Sequence, residues 1–124
     1  MNPVKLVAIA LAASALLTGC ATAGTPAATG GDDQASLLTR YTLSQCLAAA
    51  YPDTAIERDA RAALGGYLEF GDLPIEAYEE ATALARQAAA RTYNGKHGEP
   101  LHAMKCLDLL DSPELEALLD RNVR

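Results

Sequence analysis

From residue 37 onward, apolar positions recur at steps of three and four, and no run alternates cleanly at period two over the length of a strand. The first helix is expected over Leu37 to Ala50, with Tyr41, Ser44, Cys46, Leu47 and Ala50 toward one face. It stops at Tyr51-Pro52, because the residue before a proline disfavours the helical region. Thr54 and Glu57 are spaced for a capping box at the start of a second helix. Its apolar positions, Ala55, Ile56, Ala60, Ala63, Leu64, Tyr67 and Leu68, run on through Gly65-Gly66. Adjacent glycines cost a helix about 1 kcal/mol each relative to alanine, so they mark either a break or a close approach by another element. The pattern favours continuation to about Phe70. Gly71-Asp72 then turns the chain, and Pro74 suits the first position of a third helix, where its missing N–H costs nothing.

The third helix has the best periodicity: Ile75, Tyr78, Thr82, Ala85, Ala89 and Thr92 form a stripe, with Ala81 and Ala88 beside it. A stripe of this kind is a core face or, in a sharper reading, the seam of a homodimer. Residues 93–100 contain Asn94-Gly95 and a second glycine, a composition that turns tightly and stays outside helices. Leu101 to Leu110 is expected to form a short helix carrying Met104, Cys106 and Leu107. Ser112-Pro113 then caps and starts a last helix whose Leu115, Leu118 and Leu119 pack inward. The fold class is therefore all-α, a bundle of about five helices.

The N-terminus has a different character. Lys5 precedes an apolar stretch from Leu6 to Ala13 that is too short for a permanent membrane span and reads as a secretory signal peptide. It ends in Leu17-Thr18-Gly19-Cys20, which resembles a bacterial lipobox. That resemblance implies cleavage before Cys20, lipidation of Cys20 and, since residue 21 is not aspartate, sorting to the outer membrane. Small and polar residues then read as a flexible tether. The expected division is a signal peptide over 1–19, a lipidated tether over 20–34 and one helical domain over 35–124.

An exported domain of this size has a marginal core and benefits from a covalent staple. Cys46 and Cys106 are the candidates, closing a loop of about 60 residues worth roughly 4 kcal/mol in the chain-entropy model. The alternative is a reduced, reactive thiol. His102 lies four residues before Cys106, so a metal site or a Cys–His pair remains open, although each needs a third group that the sequence does not indicate. The carboxylates of Glu76, Glu79 and Glu80 suit either an acid/base pair or a solvated helix face. Motifs for a serine nucleophile elbow, a zinc protease, a phosphate loop and a dinucleotide fold are missing. No catalytic residue, cofactor or metal is therefore assigned. Lys and Arg number 10 against 16 Asp and Glu, for a net charge of −6. Such a surface disfavours nucleic acid and favours a basic partner.

Cys46 and Tyr51-Pro52-Asp53, the run from Gly66 to Asp72, the run from Pro74 to Glu79, and Met104-Lys105-Cys106-Leu107-Asp108 together form a long, irregular constellation. Over about residues 40–119 it resembles the type VI secretion system amidase immunity proteins, the all-helical Tai group that neutralises fourth-class Tae peptidoglycan amidases. The resemblance implies a periplasmic binding protein, usually a homodimer, that occludes the active site of a papain-like cysteine endopeptidase delivered by sibling cells. It departs from the group in carrying a lipobox and tether rather than a plain cleavable signal. A plug for an active-site cleft must protrude and bend tightly. Asn94, Gly95, Lys96, His97 and Gly98 meet that demand best, with Glu76, Glu79 and Glu80 as an acidic rim. The Phe70-Gly71-Asp72-Leu73 turn is the second candidate. A different class of reading is a structural outer-membrane lipoprotein that tethers envelope components without a toxin partner.

Overall fold

One helix, α1 (Gly30–Ala50), touches every other described element and packs most extensively against the second and third helices. The computed structural model describes residues 30–124, with side chains from Asp33. The signal peptide, Cys20 and most of the expected tether lie outside the described residues. The helix begins at Gly30 rather than Leu37, so it takes in residues 30–34 of that tether. Its amphipathicity is weak because it is covered on several sides: Leu37, Leu38, Tyr41, Thr42, Cys46, Ala48 and Ala50 are all buried. The Thr42 hydroxyl donates to Leu38 O at 2.7 Å, which satisfies it without leaving the helix.

Helix α2 (Ala55–Phe70) starts as the sequence indicates, but its cap is wider than a simple capping box. Glu57 N–H donates to the Thr54 hydroxyl at 3.2 Å, whereas the Glu57 carboxylate reaches past Thr54 to accept from Asp53 N–H at 2.6 Å. Asp53 can offer that N–H because it adopts a left-handed conformation, φ 63°. The Asp53 hydrogen bond and then the Arg61 side chain hold the Glu57 carboxyl below the ordinary glutamate range. The helix passes through Gly65-Gly66 unbroken, and a Cβ built at either glycine would meet no atom within 4 Å. Close approach by another element therefore does not explain this pair.

Helix α3 (Ile75–Ala90) corrects the expected stripe. The buried positions are Ala77, Tyr78, Ala81, Ala85 and Ala88, while Ile75 is 61% exposed and Thr92 lies beyond the helix. Small side chains let α3 sit close against α1, which turns the larger Ile75 outward. Pro74 stands one residue earlier than expected, at the cap, where its carbonyl accepts from Ala77 N–H at 3.0 Å. Between α2 and α3, Gly71 is a steric requirement. A Cβ there would lie 1.8 Å from Tyr78 Oη, an oxygen that is buried without a hydrogen-bond partner.

Helix α4 (His102–Asp108) is shorter than expected and tightens into a 3-10 turn over Leu109–Asp111. Its Met104 and Leu107 are exposed, and Cys106 and Leu109 fill the core instead. Ser112 caps α5 (Pro113–Asn122) by accepting from Leu115 N–H at 3.2 Å, with Pro113 in the first turn. Leu115 and Leu118 are buried there and Leu119 is half-buried.

Two clusters fill the core. Leu38, Tyr41, Leu64, Ala77, Tyr78, Ala81, Leu115 and Leu118 form one, and Cys46, Ala50, Ala85, Ala88, Cys106 and Leu109 the other. Positions on α1 and α3 advance together from the first cluster to the second, so the two helices run parallel. The Gln34 side chain accepts from Asp72 N–H at 2.8 Å, which places the start of α1 beside the α2–α3 turn. Cys46 and Cys106 are disulfide-bonded, with Cα atoms 5.6 Å apart, and close α4 onto α1.

Candidate functional site

The chain leaves α3 through Arg91 and returns into α4 by a short hairpin. Leu101 N–H donates to Tyr93 O at 2.9 Å, and Asn94 pairs with Pro100 in an antiparallel bridge. Above that rung, Gly95 N–H donates to Glu99 O at 2.7 Å, and Gly98 N–H to Gly95 O at 3.1 Å. Gly98 takes a left-handed conformation, φ 85°, that favours glycine. The Glu99 carboxylate folds back and accepts from His97 N–H at 3.0 Å. Gly95 makes room for it, since a Cβ there would lie 2.1 Å from Glu99 Oε1. Asn94, Lys96, His97 and Gly98 are exposed at the tip and Gly95 is half-buried.

Beneath the hairpin, Lys105 is buried on α4. Its ammonium group donates to Ala89 O and, at 3.2 Å, to Arg91 O. A cation at the C-terminal end of α3 satisfies carbonyls that lack a partner within the helix. Nothing in the sequence marks Lys105 as inward-facing, and Glu99 reads there as one more loop residue. Both shape the hairpin, and neither was among the expected contact residues.

Glu76, Glu79 and Glu80 are exposed on the first half of α3, while the hairpin follows its other end. About 15 Å of helix separates Glu80 from Ala90, so the carboxylates are not grouped around the hairpin tip. Glu80 is already engaged by Arg121 at 2.9 Å. Glu79 lies instead on an apolar groove of about 310 Å³ between α1, α2 and α3, lined also by Tyr41, Leu68, Ile75, Tyr78, Thr82, Ala83 and Arg86. Beneath it, Tyr41 packs edge-on against Tyr78 at 5.1 Å, and Gln45 donates to both the Tyr41 and Thr82 hydroxyls. Leu68 and Ile75 are exposed at the groove, and Phe70, 73% exposed, lies near them at the end of α2. Part of the expected stripe therefore lines an open groove.

The disulfide removes the thiol needed for a Cys106–His102 pair or a cysteine metal ligand. His102 sits edge-on to Tyr51 at 5.2 Å, and its Nδ1 is buried without a partner. Among the described residues, no group of three or more His, Cys, Asp or Glu side chains is placed to hold a metal ion. Also among the described residues, no helix is long and apolar enough to cross a membrane.

These features define a class: a small, disulfide-closed, all-α binding domain with a polar hairpin at one end and an apolar groove on its side. The family model Tai4, type VI secretion system amidase immunity protein, matches residues 36–119, and the chain belongs to that family of immunity proteins rather than to an enzyme family. Among solved structures, a chain of the Tae4/Tai4 effector–immunity system from Salmonella typhimurium is 37% identical. The match covers 73% of this chain and 90% of that one, with a TM-score of 0.68. A chain from the complex of Salmonella typhimurium Tae4 with Enterobacter cloacae Tai4 is 20% identical and shares the fold. Coverage there is 69% of this chain and 89% of that one, at a TM-score of 0.61. A comparison with curated proteins gives no match.

Proposed function

We propose that this immunity protein works in the periplasm by inserting its hairpin into the active-site cleft of a type VI secreted peptidoglycan amidase. The amidase is a papain-like cysteine endopeptidase injected by sibling cells. Inhibition of this kind is steric, so it needs complementary shape and charge but no catalytic residue. The observation that carries the reading is the hairpin, which projects Lys96 and His97 from a base closed by hydrogen bonds. The Tae4/Tai4 likeness supports a Tae4-type amidase as the partner.

A second copy of the chain covers the apolar groove in this reading. Groove residues Glu79 and Arg86 lie seven positions apart on α3, on nearly the same helix face. Antiparallel pairing of two such helices about a twofold axis sets each Glu79 against the other copy's Arg86 while burying Leu68 and Ile75. Lipidation of Cys20 anchors the protein to the outer membrane through its acyl chains.

The test is cleavage of peptidoglycan stem peptides by a Tae4 amidase with and without the folded, oxidised chain. Loss of cleavage at one inhibitor per amidase is expected. Undiminished cleavage by the amidase encoded beside this chain would overturn the reading.

A further inference from the structure

We propose that Glu99 and Lys105 are positioning residues that set the 94–98 hairpin in its binding shape before an amidase arrives; the inference rests on the hairpin being the inserted element. A connector with two glycines and an asparagine samples many conformations when nothing holds it. Ordering even one such residue on binding costs about tenfold in affinity. Here the order is already present. The Glu99 carboxylate ties the His97 amide from within the loop, and its own backbone carbonyl ties Gly95.

Lys105 acts from below. Its ammonium group bridges the carbonyls of Ala89 and Arg91, fixing where α3 ends and the hairpin begins. The neighbouring Cys106 is bonded to Cys46 of α1, so the helix that supplies Lys105 is itself held in place. The two residues thus brace the hairpin at its tip and its base while the exposed Lys96 and His97 remain available for contact.

The test uses residues 21–124, which contain every described element, with Tae4 from Salmonella typhimurium as the probe. In the wild-type chain the His97 amide should exchange with solvent at least about tenfold more slowly than in an unstructured peptide, and Glu99→Ala should remove that protection. Glu99→Ala should also weaken amidase binding about tenfold with little change in melting temperature, while Glu99→Gln, which keeps an acceptor oxygen, should largely restore it. Gly95→Ala puts a methyl group where the carboxylate sits, so it should match Glu99→Ala. The double variant should be no worse than either alone, because both remove one interaction. Lys105→Met should release the Gly95 and Leu101 amides while leaving those of α1 protected.

An unprotected His97 amide in the wild type, or hundredfold additive losses in the double variant, would overturn the inference. Lys96→Ala/His97→Ala separates it from the reading beneath it. If that tip variant binds as the wild type does, insertion itself is wrong and the inference falls with it. If the tip variant is weakened and Glu99→Ala is not, only the positioning role is wrong.

Discussion

Reducing the Cys46–Cys106 bond should remove a large part of the stability of this domain. The bond spans a sequence separation of 60 residues. In the chain-entropy model, closing a loop of that length restricts the unfolded chain by about 4 kcal/mol. A domain of this size has a total stability of about 5–14 kcal/mol, so the cross-link supplies between roughly a third and most of it. Both cysteines are fully buried in the second core cluster, which adds a separable packing contribution. Reduced wild type keeps both sulfur atoms in the core, whereas Cys46→Ala/Cys106→Ala loses them and should be about 1 kcal/mol less stable again. Urea denaturation followed by far-ultraviolet circular dichroism, with the thiol state fixed by alkylation, measures all three forms. The melting temperature of the reduced form should lie about 16–30 °C below that of the oxidised form. Oxidised and reduced forms agreeing within about 1 kcal/mol would refute the reasoning and show that the helices pack without the staple.

The glycines separate by their surroundings. Gly65→Ala and Gly66→Ala meet open space and should each stabilise α2 by up to about 1 kcal/mol in thermal melts. Gly71→Ala collides with Tyr78 Oη and should cost about 1–3 kcal/mol, with partial recovery on adding Tyr78→Phe, because the ring carbon remains 2.9 Å from the new Cβ. The lowered carboxyl of Glu57 contributes stability above the unfolded glutamate value of about 4.3, and this is lost as pH falls through the folded value. Denaturation at pH 7 and pH 3 should therefore show a smaller acid loss for Glu57→Gln than for wild type. For the groove, Glu79→Arg or Arg86→Glu alone should shift the chain toward monomer in analytical ultracentrifugation, and the double exchange should restore association. Single exchanges that leave the mass unchanged would rule out the antiparallel pairing.

Much of this fold was legible because local signals agreed. Pro52, Thr54, Gly71, Pro74 and Ser112 place the end of α1, both ends of α2 and the starts of α3 and α5 within a few residues. The start of α1 was harder: Gly30 to Gln34 look like a tether by composition, yet they continue a helix whose Gln34 binds the α2–α3 turn. The face of α3 was misjudged by favouring the larger residues of its stripe. Alanines at positions 77, 81, 85 and 88 win the core because they allow a closer helix contact than Ile75 would. At the site, Asn94-Gly95 and Gly98 announced a tight hairpin. The fold-back of the exposed Glu99 carboxylate onto the loop and the burial of Lys105 depend on atoms that meet only in three dimensions, so no spacing in the sequence reveals them.

Because α1 and α3 run parallel, the chain enters the domain at the end opposite its hairpin. Attachment at Cys20, as proposed, would hold the domain by the end at which the 21-residue α1 begins, about 30 Å of helix from where it finishes. The domain would then act as a spacer between bilayer and tip, presenting Lys96 and His97 away from the anchored end. Val123 packs on the cluster of Leu38, Ala77 and Tyr78, so the C-terminus lies toward that same end, and an anchor moved there should preserve protection.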